Sequence, residues 1–137
     1  MKKRDWLLQV IGDRMEPIQL QKALFKFSQE SEAPKWELYA FEPYNWGPCS
    51  FEIYEDLSAL RENGLVEFEP SGRGWNVYRL TDAGKLQASK LKKRADPGLL
   101  NKLVEIREYV VTRSFSNLLS DVYKQYPGYA ANSLFRG

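Results

Sequence analysis

Gly64-Leu65-Val66-Glu67-Phe68-Glu69-Pro70-Ser71-Gly72-Arg73-Gly74-Trp75-Asn76-Val77-Tyr78-Arg79-Leu80-Thr81-Asp82-Ala83-Gly84 is the stretch on which the fold turns. Leu65 to Glu69 alternates apolar and acidic residues. Trp75 to Leu80 is rich in aromatic and β-branched types, and the five residues between hold one proline and two glycines, which marks a hairpin. Thr81 stands where a new helix needs a cap. Immediately upstream, Ile53, Leu57 and Leu60 recur at helical spacing with Phe51 and Tyr54 beside them, and Asn63-Gly64 supplies a C-terminal stop. The order is therefore helix, hairpin, helix.

Working outward toward the N-terminus, Ser50 is placed as the cap of the helix that precedes the hairpin, and Glu52 suits the positive end of its dipole. Pro43-Tyr44-Asn45-Trp46-Gly47-Pro48-Cys49-Ser50 reads as turn chemistry with two embedded aromatics, because two prolines fix backbone angles and withhold N–H groups from any ladder. Trp36 to Glu42 alternates bulky and other residues as a short strand would. Pro17 opens a helix whose apolar stripe is Leu20, Ala23, Leu24 and Phe27, running to about Glu30. Asp5 to Gly12 forms a shorter first helix. Toward the C-terminus, Thr81 to Arg94 is helical in pattern and Asp96-Pro97-Gly98 breaks it. Leu99, Leu103, Ile106 and Val110 then share one face of a helix ending near Val111. A last helix starts at Ser114 or Ser116 and runs to Tyr126, and the tail beyond it has enough apolar residues to dock.

At 137 residues, with 43% hydrophobic and 14% aromatic content, the chain has the material for one domain with a real core and a small extension. No apolar run approaches the ~18 residues of a membrane span, and the first residues read as a helix rather than a signal peptide. The single cysteine, Cys49, removes an internal disulfide and a cysteine-rich metal site, and a reducing, cytoplasmic setting is expected. The absence of histidine removes Ser-His-Asp, Cys-His and His-ligated metal mechanisms unless a partner supplies an imidazole. A carboxylate pair or an oxygen-held Mg²⁺ stays chemically open, but no spacing among the acids is diagnostic. No cofactor and no metal are expected. The net charge of +2 conceals a split: residues 1–69 carry 8 Lys/Arg against 13 Asp/Glu, whereas residues 70–137 carry 12 against 5. A basic second half attracts polyanions without selecting a fold.

Leu20-Gln21-Lys22-Ala23-Leu24-Phe25, followed by Tyr44-Asn45-Trp46-Gly47-Pro48-Cys49-Ser50-Phe51-Glu52-Ile53-Tyr54-Glu55-Asp56-Leu57, resembles the pattern of Panacea-type (SocA-like) antitoxin domains and of YwgA-like bacterial and archaeal proteins. The likeness covers roughly residues 18–84. The ending Val122-Tyr123-Lys124-Gln125-Tyr126-Pro127-Gly128-Tyr129-Ala130 is similar to the YwgA-like set. Tyr78-Arg79-Leu80-Thr81-Asp82-Ala83-Gly84 looks more like the wing of PadR- or MarR-type regulators. The fold these resemblances imply is α+β, mainly α: a winged helix-turn-helix with a small β-sheet or wing in residues 1–95. Residues 96–137 would be a C-terminal helical extension, packed on the first domain or used for dimerisation.

Two functions follow as expectations. The first is a non-enzymatic DNA-binding transcriptional or antitoxin-like regulator, acting as a homodimer on double-stranded DNA. Its contacts would come from Arg73, Trp75, Arg79, Lys85, Lys90, Lys92, Lys93 and Arg94, with Lys2, Lys3 and Arg4 as an arm. The helix at 50–63 would hold the recognition position, yet it shows Glu52, Glu55, Asp56 and Glu62 where base readers are usually Arg, Lys, Asn or Gln. The second is a protein-interaction adaptor that docks a partner on Glu52, Glu55 and Asp56 or on the aromatic loop of Tyr44 and Trp46. Each feature also has a plainer reading. The Lys90 to Arg94 cluster suits an ordinary solvated helix end, Trp75 suits the core, the loop aromatics suit fastening a loop to a helix, and Cys49 is either a thiolate at a helix N-terminus or a small buried hydrophobe.

Overall fold

A helix from Pro17 to Glu30, here α2, is the post around which the chain is laid. Pro17 sits in the first turn, where its missing N–H costs nothing, and the Gln19 side chain accepts from the Glu16 N–H at 2.9 Å. Every residue from Leu20 to Phe27 is buried. The computed structural model describes residues 1–135. Among them are six α-helices and two antiparallel two-stranded sheets, giving a mainly helical α+β architecture. None of these helices is long and apolar enough to cross a membrane.

The first helix, α1 (Lys3–Ile11), buries Trp6, Leu7, Leu8, Val10 and Ile11, and meets α2 and three later helices: α3 (Phe51–Glu62), α4 (Asp82–Lys92) and α5 (Pro97–Val111). The Trp6 ring packs on Phe27 with centroids 4.9 Å apart, and its Nε1–H donates to Glu37 Oε1 at 3.1 Å. From α5, Leu103, Ile106 and Val110 enter the same core, and α6 (Phe115–Gln125) adds Leu118. The helix α5 lies chiefly along α2.

The hairpin read from residues 64–84 is β3 (Val66–Pro70) and β4 (Asn76–Leu80), in register from Val66 opposite Leu80 to Pro70 opposite Asn76. On its other edge β4 meets the segment between the first two helices. Met15 and Tyr78 exchange N–H···O bonds at 2.9 Å in both directions, and Leu80 donates to Gly12 O at 3.1 Å. Thr81 caps α4 by accepting from the Gly84 N–H at 3.0 Å.

Three local expectations are corrected. Trp36 to Phe41 forms no strand: Lys35–Glu37 is a 3-10 turn, and strand pairing begins only at Glu42. Trp36 is 67% exposed, whereas Glu37 and Tyr39 point inward to Trp6 Nε1 and to Asp56 Oδ2, so burial rather than bulk sets the alternation. The proline-rich stretch is not a plain connection. It is a hairpin of β1 (Glu42–Tyr44) and β2 (Gly47–Cys49) with Pro43 opposite Pro48. A ladder tolerates proline at alternate pairs, where the N–H would point away from the partner strand. Ser50 stands at the start of α3 without a side-chain cap. Its backbone is held by Gln21 instead, the Ser50 N–H donating to Oε1 at 2.9 Å and its carbonyl accepting from Nε2 at 3.0 Å.

Candidate functional site

The short β1–β2 hairpin stands over α2 and forms one wall of a cleft of ≈ 630 Å³. Tyr44 and Trp46 come from this hairpin, Phe51 and Tyr54 from the first turn of α3, and Arg73 and Trp75 from the tip of the β3–β4 hairpin. Arg113 and Phe115 close the side where α5 passes into α6. The aromatics brace one another edge to face, Tyr44 on Phe51 at 5.1 Å and Trp46 on Phe115 at 5.7 Å. The Arg73 guanidinium lies 4.9 Å above the Trp75 ring and pairs with Glu16, tying the hairpin tip to the start of α2. The volume falls within the ~300–1,000 Å³ typical of binding clefts, and six aromatic rings supply a large apolar area.

The floor is made by Lys22. It lies on the buried helix α2 with 2% of its surface exposed, and its Nζ donates to Pro48 O at 3.0 Å. Gly47 makes room for it. A Cβ there would lie 3.1 Å from Lys22 Cε and 3.2 Å from Leu119 Cδ2, and the backbone adopts φ +91°, which favours glycine. Burial lowers the Lys22 pKa to about 8, opposed in part by Cys49. Burial likewise pushes the Cys49 thiol up, with Glu42 adding to the shift and Lys22 opposing it. Cys49 is buried, as the plainer reading expects of a small hydrophobe. Tyr54 is also raised, chiefly by burial.

The lowered lysine pKa carries a stability signature. At pH 7 the native and unfolded chains both hold the proton, and the native state bears the cost of a buried charge. Above pH 8 the native lysine sheds its proton while the unfolded chain, with the ordinary value of 10.5, keeps it, so stability rises with pH. Relative to Lys22→Met, the protein should gain about 2 kcal/mol between pH 8 and pH 10. Urea titrations of both chains check this, and referring to the variant cancels the opposite trend of tyrosines whose pKa is raised, such as Tyr78 at about 12.

The residues expected from sequence fall in three places. Arg73, Trp75, Tyr44 and Trp46 come together at the cleft. Arg79 lies on the outer face of β4 between Glu67 at 2.7 Å and Glu69 at 2.8 Å, and Lys85 pairs with Asp13 at 3.2 Å. Lys90, Lys92, Lys93 and Arg94 are exposed at the end of α4, with no ion pair among the described residues. Along α3, Glu52 pairs with Lys3 at 3.1 Å and Asp56 accepts from Tyr39 Oη at 2.6 Å, leaving Glu55 exposed between them. Phe51 and Tyr54, expected beside a buried stripe, are 47% and 38% exposed because they face the cleft. Sequence reasoning missed Lys22, Arg113 and Phe115 as cleft residues. For Lys22 the available signal was a cation inside Leu20-Gln21-Lys22-Ala23-Leu24-Phe25-Lys26-Phe27, a run too apolar for a half-solvated helix. No group of three or more Cys, Asp or Glu that could hold a metal occurs among the described residues. Compared with protein-family models, curated proteins and solved structures, the chain matches none.

Proposed function

We propose that the chain is a non-enzymatic, winged-helix-like adaptor or antitoxin-like regulator that grips an acidic, apolar segment of a protein partner in its aromatic cleft. The cleft carries this reading. Its wall includes Trp46, Trp75, Tyr44, Tyr54, Arg73 and Arg113, of the types that dominate binding energy at protein interfaces. Its charged members are Lys22, Arg73 and Arg113 against Glu16, a balance that attracts an acidic segment. The order α1, Met15 bridge, α2, α3, β3–β4, with the β1–β2 hairpin inserted between α2 and α3 and Met15 pairing to the outer edge of β4, supports the winged-helix part.

The pairing of surface charges favours the adaptor over a DNA reader. Arg73, Arg79 and Lys85 already have carboxylate partners, and α3 presents Glu55 and Glu62 where a helix entering the major groove needs donors. The Lys90 to Arg94 cluster, without an ion pair among the described residues, is what supports the DNA reading. Two measurements separate them. Quantitative capture from the host lysate should recover a discrete protein on the wild-type chain. Trp46→Ala or Trp75→Ala, folded by circular dichroism, should weaken its retention about 30-fold, the scale of a lost hot-spot residue. Equal retention by the variants would overturn the cleft as the docking site. Micromolar binding of a random duplex that falls steeply with salt and is lost in the Lys92, Lys93 and Arg94 alanine triple variant would instead establish the DNA reading.

A further inference from the structure

Lys22 is an interior cation with no carboxylate opposite it among the described residues. An ammonium has three N–H groups, and a backbone carbonyl, Pro48 O, takes one of them. Glu16, the one carboxylate among the described residues that line the cleft, is held by Arg14 at 3.7 Å and by Arg73. A buried charge with so little compensation is disfavoured against an apolar residue of the same length. If Lys22 served merely to fasten the hairpin, a neutral donor would do so without a buried charge. Its neighbours cannot neutralise it, because burial keeps the Cys49 thiol and the Tyr54 hydroxyl protonated.

We infer that Lys22 is the anion post of the cleft: the bound segment sets a carboxylate on Lys22 Nζ and an aromatic or large apolar group against Tyr44, Trp46 and Tyr54. The inference rests on the cleft being the docking site and adds the chemistry of what it holds. The carboxylate completes the donor set that Pro48 leaves unfilled, and the ring wall excludes water from the pair, which strengthens it. Arg113, which stacks 4.3 Å above Tyr109, adds positive potential at the mouth and draws an acidic segment inward.

The test uses two probes of equal shape, N-acetyl-tryptophan, a carboxylate, and N-acetyl-tryptophanamide, which is neutral. Each is titrated near pH 7 into the isotope-labelled full chain and followed by NMR. The acid should bind about tenfold more tightly than the amide and should shift the amide signals of Gly47, Cys49 and Tyr54. Lys22→Met should erase the preference while leaving the amide's affinity nearly unchanged. A second readout needs no variant. The Lys22 ¹³Cε signal should titrate at higher pH with the acid present than with the amide, because an anion favours the charged amine. The groups that face this lysine or line the cleft with it and titrate or carry charge are Glu16, Tyr44, Cys49, Tyr54, Arg73 and Arg113, and both probes meet the same set. Equal binding of acid and amide, with no change in the Lys22 titration, would overturn the anion post and leave the cleft reading intact. Binding of neither probe, with partner retention unaffected by Trp46→Ala, would overturn both. A preference that survives in Lys22→Met would overturn the assignment to Lys22 and move it to the rim arginines.

Discussion

Gly84→Ala should destabilise the protein by about 4 kcal/mol, at the upper end of what overpacking costs. Propensity alone gives the opposite sign, since alanine is favoured over glycine by ~1 kcal/mol inside a helix. Packing decides it. A Cβ at Gly84 would clash with the Leu65 carbonyl oxygen and sit 3.0 Å from its carbon and 3.4 Å from Leu65 Cα, all backbone atoms that cannot swing aside. That carbonyl also accepts the Thr81 N–H at 3.1 Å, while the Thr81 hydroxyl donates to Gly64 O at 2.6 Å. The first turn of α4 is therefore bolted to the start of β3, and a methyl group prises the bolt open. Urea denaturation measures the effect, with Ala83→Gly at the neighbouring exposed position as a propensity control expected to cost about 1 kcal/mol. A Gly84→Ala protein as stable as the wild type would show that α4 does not approach β3 this closely.

Phe25→Ala should be of similar severity, about 3–5 kcal/mol for a fully enclosed phenylalanine. Phe25 has no exposed surface. Its ring meets Phe41 at 5.4 Å, Tyr126 at 5.0 Å and Tyr129 at 4.7 Å, each edge to face. One side chain thus joins the segment before β1 to the 3-10 turn Pro127–Ala130 beyond α6. From that turn the chain continues to Asn132, whose Nδ2 reaches Pro43 O at 3.5 Å, and to Leu134, which donates to Asn45 O at 2.8 Å. Losing the ring should loosen the backing of the β1–β2 hairpin as well as lower stability. Urea titration together with the rate of chymotryptic cleavage after Tyr129 reads both effects. A loss below about 1.5 kcal/mol with no faster cleavage would mean that the C-terminal turn docks independently of Phe25.

Where a signal is local, the sequence carried it. The proline at the start of α2, the Asn63-Gly64 stop, the glycine-rich β3–β4 turn and the Thr81 cap each act within four residues of where they are written. The Trp36 to Glu42 strand failed because alternation was judged by size, while the inward positions were chosen by partners 17 to 31 residues away in sequence, Asp56 and Trp6. The β1–β2 hairpin has no local signature because two prolines veto a ladder unless each falls at a position whose N–H would point away from the partner strand, and that depends on register, a tertiary property. For α2, the stripe of Leu20, Ala23, Leu24 and Phe27 was correct and insufficient. Later segments, including α5 and β2, cover the remaining faces and enclose Gln21, Lys22 and Lys26. Lys26 is then satisfied by Glu30 at 2.9 Å and by the Tyr109 ring at 4.7 Å. Tyr44, Trp46 and Trp75 could be noticed individually as aromatics in turns. Their convergence with Phe115 across about 70 residues of chain, and with a lysine from the core, has no local trace.

The facing prolines have a consequence for how other chains can attach. A free strand edge invites an incoming strand because it offers unpaired N–H and C=O groups in alternation. Here the outward positions of both strands are Pro43 and Pro48, neither of which has an N–H, and their carbonyls are taken by Asn132 and by Lys22. The hairpin beside the cleft is thereby closed to β-augmentation from either side, so it is shielded from edge-to-edge self-association. Whatever enters the cleft must be read through its side chains and not zipped on as a further strand.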